Sequence, residues 1–173
     1  MNEVLKNIHA RRSTRAFTGQ QVSRADLDAI LDAGQWAPTG MGKQLWHFSA
    51  IRNAEKTLAL ARAVSAADNR GPDYNFYGAP CTILVCYQRD EVHAFLDGSA
   101  AMENMLLAAE SLGLATCWIN QVRVTCDNPA VRALLTEYGV PEDYLVVGSI
   151  ALGYAAKETP AKPRREGVVT VIE

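Results

Sequence analysis

Apolar and polar positions alternate along the chain with two periods, and the period assigns most elements. Val4, Leu5 and Ile8 predict a short first helix, capped by Asn2 and ending near Ala10. Ser23 with Asp26 three residues on resembles a capping box ahead of Leu27, Ile30 and Leu31, which predicts a helix over 24–33 with Gly34 as its stop. A third helix is predicted from Ala54 to Ala67, with Leu58, Ala61 and Val64 or Ser65 on one face. The longest runs from Asp97 to Leu112, where Ala101, Met105, Ala108, Ala109 and Leu112 form a broad stripe that Gly113 ends. Asn128 and Pro129 open a further helix, closed by Gly139.

The other period belongs to strands. Cys81 to Tyr87 is rich in β-branched and apolar residues and reads as a buried strand. Leu114 to Ile119 and Tyr144 to Leu152 read as strands, and Trp46 and Phe48 begin another. Val168 to Ile172 is a final candidate beyond an irregular, charged, proline-bearing arm that starts at Gly153. A strand carried on such an arm pairs either with a partner's sheet, which is the expectation here, or as an edge strand of its own sheet.

Composition narrows the class without naming a function. The 173 residues fit one domain, and a hydrophobic share of 49% against 21% charged is that of a globular protein. A net charge of -2 opposes nonspecific nucleic-acid binding, which needs a basic face. No apolar run has the length of a membrane span, and Met1 to Lys6 lacks the core of a signal peptide, so a cytoplasmic protein is expected. Cys81, Cys86, Cys117 and Cys126 show no CxxC spacing, so free buried thiols are expected rather than disulfides, and the scattered His9, His47 and His93 offer no metal-ligand pattern.

Against that ordinary background one segment stands apart. Arg11, Arg12, Ser13, Thr14 and Arg15 place three guanidiniums in five residues, which repel one another unless an anion lies between them. The rigid donor fork of arginine suits phosphate. A second candidate is the loop Gln35 to Phe48, where Pro38, Gly40 and Gly42 break the helix and let backbone approach a ligand, with Thr39, Lys43 and Gln44 as polar groups. A third is the basic set Lys157, Lys162, Arg164 and Arg165 in the arm. Taken singly, each is also what a solvated helix end, a helix-to-strand loop or a basic tail looks like. No nucleophile motif, HExxH or phosphate-binding P-loop is present, so a site rich in anion ligands suits a cofactor that carries its own chemistry.

Together these segments resemble the nitroreductase family of FMN-dependent oxidoreductases. The matching pieces are Arg11 to Phe17, Ala37 to Phe48, Gly78-Ala-Pro80, Met102 to Trp118, and Gly153-Tyr154 with Lys162-Pro-Arg164, in family order across nearly the whole chain. The resemblance implies an α+β fold with a central, mainly antiparallel sheet flanked by helices. It also implies a single FMN-binding domain over 1–173 and an intertwined homodimer with two FMN sites at the subunit interface. Residues 154–173 would then be an arm and strand exchanged with the partner. The implied activity is transfer of electrons from NADH or NADPH through flavin N5 to a nitroaromatic, quinone or similar small aromatic acceptor in a ping-pong sequence.

The same resemblance assigns roles. Arg11 and Ser13 match phosphate or ribityl ligands, Lys162 and Arg164 the C-terminal phosphate ligands, and Arg15 the basic residue at the N1/O2 edge of the flavin. Arg12 belongs to the same cofactor-binding cluster and is the member expected to make a structural or inter-subunit contact. Pro38, Thr39 and Gly40 match a loop given by the other subunit; Trp118, Ile119 and Asn120 fall near the ring; Asn69 and Asn75 are candidates for the flavin pyrimidine. The chain departs from the pattern at Gly42, where the family often has Asn, and at Leu45, where it often has Pro. It is also short for the family, which implies an open pocket. Two other functions share these features: an FMN carrier or redox sensor without turnover, and a flavin enzyme of the same fold with another reaction, such as flavin fragmentation or dehalogenation.

Overall fold

The structure is a computed structural model and describes residues 1–173. Helices α1 (Glu3–Ala10) and α2 (Arg24–Gln35) lead to strand β1 (Trp46–Ile51), then α3 (Ala54–Asp68), β2 (Cys81–Gln88), α4 (Ala94–Ser111), β3 (Ala115–Ile119), α5 (Gln121–Thr125), α6 (Pro129–Glu137) and β4 (Tyr144–Gly153). The four strands form one sheet in the order β1-β2-β4-β3, and every neighbouring pair is antiparallel. The expected α+β class with a central antiparallel sheet flanked by helices is the class observed.

Alternation along the central strand explains the layers. Cys81, Ile83, Val85 and Tyr87 of β2 face one core with Leu27 and Ile30 of α2 and Met102 and Met105 of α4. Leu84 and Cys86 face the other, with Leu60 and Val64 of α3, Val122 of α5 and Val131 and Leu135 of α6. A strand covered by helices on both faces carries no polar alternation, which is why 81–87 reads as a continuous apolar run. All four cysteines are free and buried. Burial pushes the Cys81 and Cys86 thiols up to about 12, so they pack as small apolar groups. No helix is long and apolar enough to cross a membrane.

The predicted caps form. Asn2 accepts from Leu5 N at 2.9 Å, Ser23 from Asp26 N at 3.0 Å and Asn128 from Ala130 N at 3.0 Å, and Gly113 and Gly139 sit at positive φ beyond their helices. Four features differ. Helix α2 continues through Gly34 to Gln35, because Gly34 serves packing rather than termination: a Cβ there would lie 2.1 Å from Met105 Cε. Helix α4 begins at Ala94 rather than Asp97, since the Asp97 carboxylate is taken up by groups outside the helix. The buried face of α3 is Thr57, Leu60, Ala61, Val64 and Ser65, with Leu58 only partly covered. Val168 to Ile172 forms no strand within its own chain, so the own-sheet alternative is overturned. Bonds from Thr18 N to Tyr154 O at 2.8 Å and Ala156 N to Ala16 O at 2.9 Å instead turn the arm along the Arg11–Arg15 segment.

Candidate functional site

The N-terminal segment reaches its place by backbone pairing. After α1, Thr14 N donates to Thr116 O at 2.8 Å, a parallel bridge on the outer edge of β3. Phe17 then bridges Ala155 antiparallel. The residues between are thus fixed to the sheet on one side and to the start of the C-terminal arm on the other. The arm crosses the cluster, and the two chain ends close a cleft of about 210 Å³ lined by Arg11, Arg12, Ser13, Arg15, Thr159, Pro160, Lys162 and Arg164.

Five of these eight residues are cations and none is a carboxylate. Such a concentration favours an anion, and a phosphate with its several acceptor oxygens would suit the donor set. The arginines differ in what else they do. Arg12 Nη1 donates to His9 O at 2.7 Å and Arg11 O at 2.9 Å, tying up the last carbonyls of α1. Arg11 Nε lies 3.9 Å from Glu103 Oε1 of α4, a half-exposed pair that leaves the rest of its fork for the cleft. Arg15 is exposed, with its guanidinium carbon 5.9 Å from the ring centre of Tyr77 and Nη1 3.4 Å from Ser13 O. Tyr77 and the lining residues Thr159 and Pro160 escaped sequence reading because nothing in their local pattern points to the arginines.

The other predicted residues lie elsewhere on the chain. Trp118 Nε1 donates to Asn120 Oδ1 at 2.9 Å at the end of β3. The Ile119 side chain is buried in the core on the α3 side, which leaves only its main chain for a ligand. Asn69 is the left-handed C-cap of α3 and lines a surface hollow with Arg62, Ser65 and Gly71, and Asn75 opens the turn that carries Tyr77. Neither asparagine lines the cationic cleft.

Pro38, Thr39 and Gly40 are also outside the cleft. They begin a tight loop in which Met41, Gly42 and Gln44 all have positive φ. Thr39 Oγ1 accepts from Gln44 N at 3.3 Å. Gly40 N donates to both carboxylate oxygens of Asp97 at 3.1 Å, and Leu45 N donates to Tyr87 Oη at 3.3 Å. Tyr87 in turn donates to Asp97 Oδ2 at 2.8 Å. Burial, reinforced by the Asp97 carboxylate, pushes the phenol up to about 12, so it remains a donor. Lys43 Nζ donates to Glu91 Oε2 at 2.6 Å, and Glu91 Oε1 lies 3.0 Å from His93 Nδ1. The hydrogen bond from Lys43, with that from His93, holds the Glu91 carboxyl down at about 2.

Comparison with known proteins places the chain in a family. The model of the nitroreductase family matches residues 8–154. A crystal structure of a nitroreductase with bound FMN from Bacteroides fragilis superposes with a TM-score of 0.93 at 41% identity, covering 100% of both chains. A relative from Archaeoglobus fulgidus is 33% identical over 165 residues, 91% of this chain and 88% of that one. The FMN reductase [NAD(P)H] of Bacillus subtilis is 27% identical over 186 residues, 95% of this chain and 70% of that protein. With the fold, the antiparallel sheet and the order of the matching segments in agreement from end to end, the chain belongs to the nitroreductase family.

Proposed function

We propose that this chain is an FMN-dependent NAD(P)H oxidoreductase acting as an intertwined homodimer. The observation that carries the reading is the cleft where Arg11, Ser13 and Arg15 meet Lys162 and Arg164 from the opposite end of the chain. When bound, FMN would supply the redox chemistry, two-electron transfer from NADH or NADPH to a nitroaromatic, quinone or similar acceptor in a ping-pong sequence. Arg11, Ser13, Lys162 and Arg164 hold the phosphate. Arg15, exposed and 5.9 Å from the ring centre of Tyr77, would face the N1/O2 edge of the flavin, where a fixed positive charge stabilises developing negative charge. Trp118 and Asn120 lie by the ring.

What one chain leaves uncovered supports the dimer. Helix α1 buries none of its residues, and Val4, Leu5 and Ile8 are exposed. The outer edge of β3 carries the Ser13 bridge, whereas β1 pairs only with β2 and has a free edge for the partner's Val168–Ile172. In such a dimer the loop at Pro38, Thr39 and Gly40 serves the partner's flavin.

The purified protein is expected to be yellow and to bleach under anaerobic conditions with NADH or NADPH. Colour that persists with both in excess would mark a flavin carrier instead. Arg15→Gln is expected to slow flavin reduction in stopped flow at saturating FMN by about tenfold or more, as removal of one charge-stabilising donor does. Its FMN affinity should change less; an unchanged rate would remove Arg15 from the redox role.

A further inference from the structure

The loop that begins at Pro38 is strained and yet tightly fixed. Met41 and Gln44 are side-chain-bearing residues in the left-handed region, at φ 55 and 52, flanking Gly42 at 66. Left-handed residues other than glycine persist where the surroundings dictate them. Here the surroundings are two buried polar side chains from different elements, Tyr87 of β2 and Asp97 of α4. The Tyr87 hydroxyl accepts from Leu45 N and donates to Asp97, whose carboxylate accepts from Gly40 N. Both ends of the 40–45 turn thus hang on one phenol–carboxylate pair. Leu45 matters because a proline there would have no N–H to give. Gly40 matters because a Cβ would lie 2.9 Å from the His93 ring. The redox chemistry proposed above makes no use of Tyr87 or Asp97.

We propose that Tyr87 and Asp97 are positioning residues for the flavin site of the partner subunit, acting through the backbone of Thr39 and Gly40. This rests on the reading that the 38–40 loop lies against the partner's FMN. The pair lets a loop built on a single 3-10 turn, Gly40–Gly42, present its backbone at a fixed place across the interface. It works on the ring end of the cofactor, whereas the cationic cleft works on the phosphate.

Tyr87→Phe removes one oxygen and keeps the shape. In the apo protein titrated with flavin, it is expected to weaken FMN and riboflavin by a similar factor, about tenfold, as the loss of one buried hydrogen-bonding hub does. Asp97→Asn, which keeps a carbonyl for Gly40 N, should lose less than Asp97→Ala. Arg11→Ala with Lys162→Ala should weaken FMN and leave riboflavin unchanged. The decisive arm is a mixed dimer of one Tyr87→Phe subunit and one Arg11→Ala/Lys162→Ala subunit. If the pair acts across the interface, one of its two sites is free of both changes and binds FMN as the unaltered protein does. Two weakened sites in the mixed dimer would overturn the proposal, and so would unchanged riboflavin affinity in Tyr87→Phe. Should Tyr87→Phe fail to fold, Asp97→Asn takes its place in the mixed dimer with the same two outcomes. An unaltered protein that binds neither flavin would instead overturn the parent reading.

Discussion

The cationic cleft and the 37–45 loop grip by different physical means. The cleft is made of long, flexible, mostly exposed or half-buried charged side chains, gathered because two ends of the chain run side by side. The loop offers backbone groups, and its geometry is dictated by the buried Tyr87 and Asp97. A site built from charges tolerates small displacements, because Coulomb attraction falls slowly with distance. A site built from backbone does not, since hydrogen bonds weaken steeply with angle. On the proposed reading, one region would set how strongly a phosphate is held, and the other where the ring of the cofactor lies.

That contrast can be broken at several points. The largest effect is expected from deleting 168–173. Val168, Val169, Val171 and Ile172 are 65, 78, 76 and 92% exposed in one chain, and burying each against a partner is worth about 1.5–3 kcal/mol. Sedimentation equilibrium should show a shift from dimer toward monomer; an unshifted dimer would detach the tail from subunit exchange. Next comes Arg11→Ala with Lys162→Ala. Losing two charge-assisted contacts should weaken FMN by about 100-fold or more, while riboflavin binding stays unchanged. Raising salt should weaken FMN in the unaltered protein and have a smaller effect in the variant, which keeps Arg12, Arg15 and Arg164. Equal losses for both flavins would mean that the cleft does not hold the phosphate.

Smaller effects test the loop. Gly40→Ala forces a methyl against His93, and a cost of about 1 kcal/mol lowers Tm by about 2–4 °C in a chain of this size. Adding His93→Ala should restore part of that loss in a double-mutant cycle; strict additivity would mean that the two do not touch. The smallest effect belongs to Glu91. Its carboxyl is lowered to about 2 in the folded chain from an ordinary 4.5, so below pH 4.5 the unfolded chain takes up a proton that the folded one does not. The stability that Lys43 and His93 confer through it is complete above about pH 4.5 and is lost as pH falls toward 2. In acid unfolding followed by circular dichroism, Glu91→Gln should be less stable than the unaltered protein at pH 6, with the gap narrowing below pH 4.5. A gap independent of pH would show that the Lys43 tie is absent.

Much of this was legible in residue order. The two-faced apolar run 81–87, the caps at Asn2, Ser23 and Asn128 and the glycine stops at Gly113 and Gly139 are local, because each depends on residues within a few positions. Three arginines in five residues point to an anion for the same reason: the crowding of like charges is local and favours a counter-charge wherever the chain puts them. What stayed hidden depends on contacts between distant residues. Gly34 looks like a helix stop and is a packing point for Met105; Asp97 looks like a helix start and is the anchor of a loop 57 residues away. Tyr87 looks like one more apolar strand position, yet its hydroxyl joins β2, α4 and the loop. The sequence by itself determined most of the elements, the family and the local concentration of positive charge. Only the tertiary structure decided that Lys162 and Arg164 close on Arg11 and Arg15, and that a buried phenol and carboxylate hold the loop, because both arise where segments far apart in the chain are brought together by the sheet.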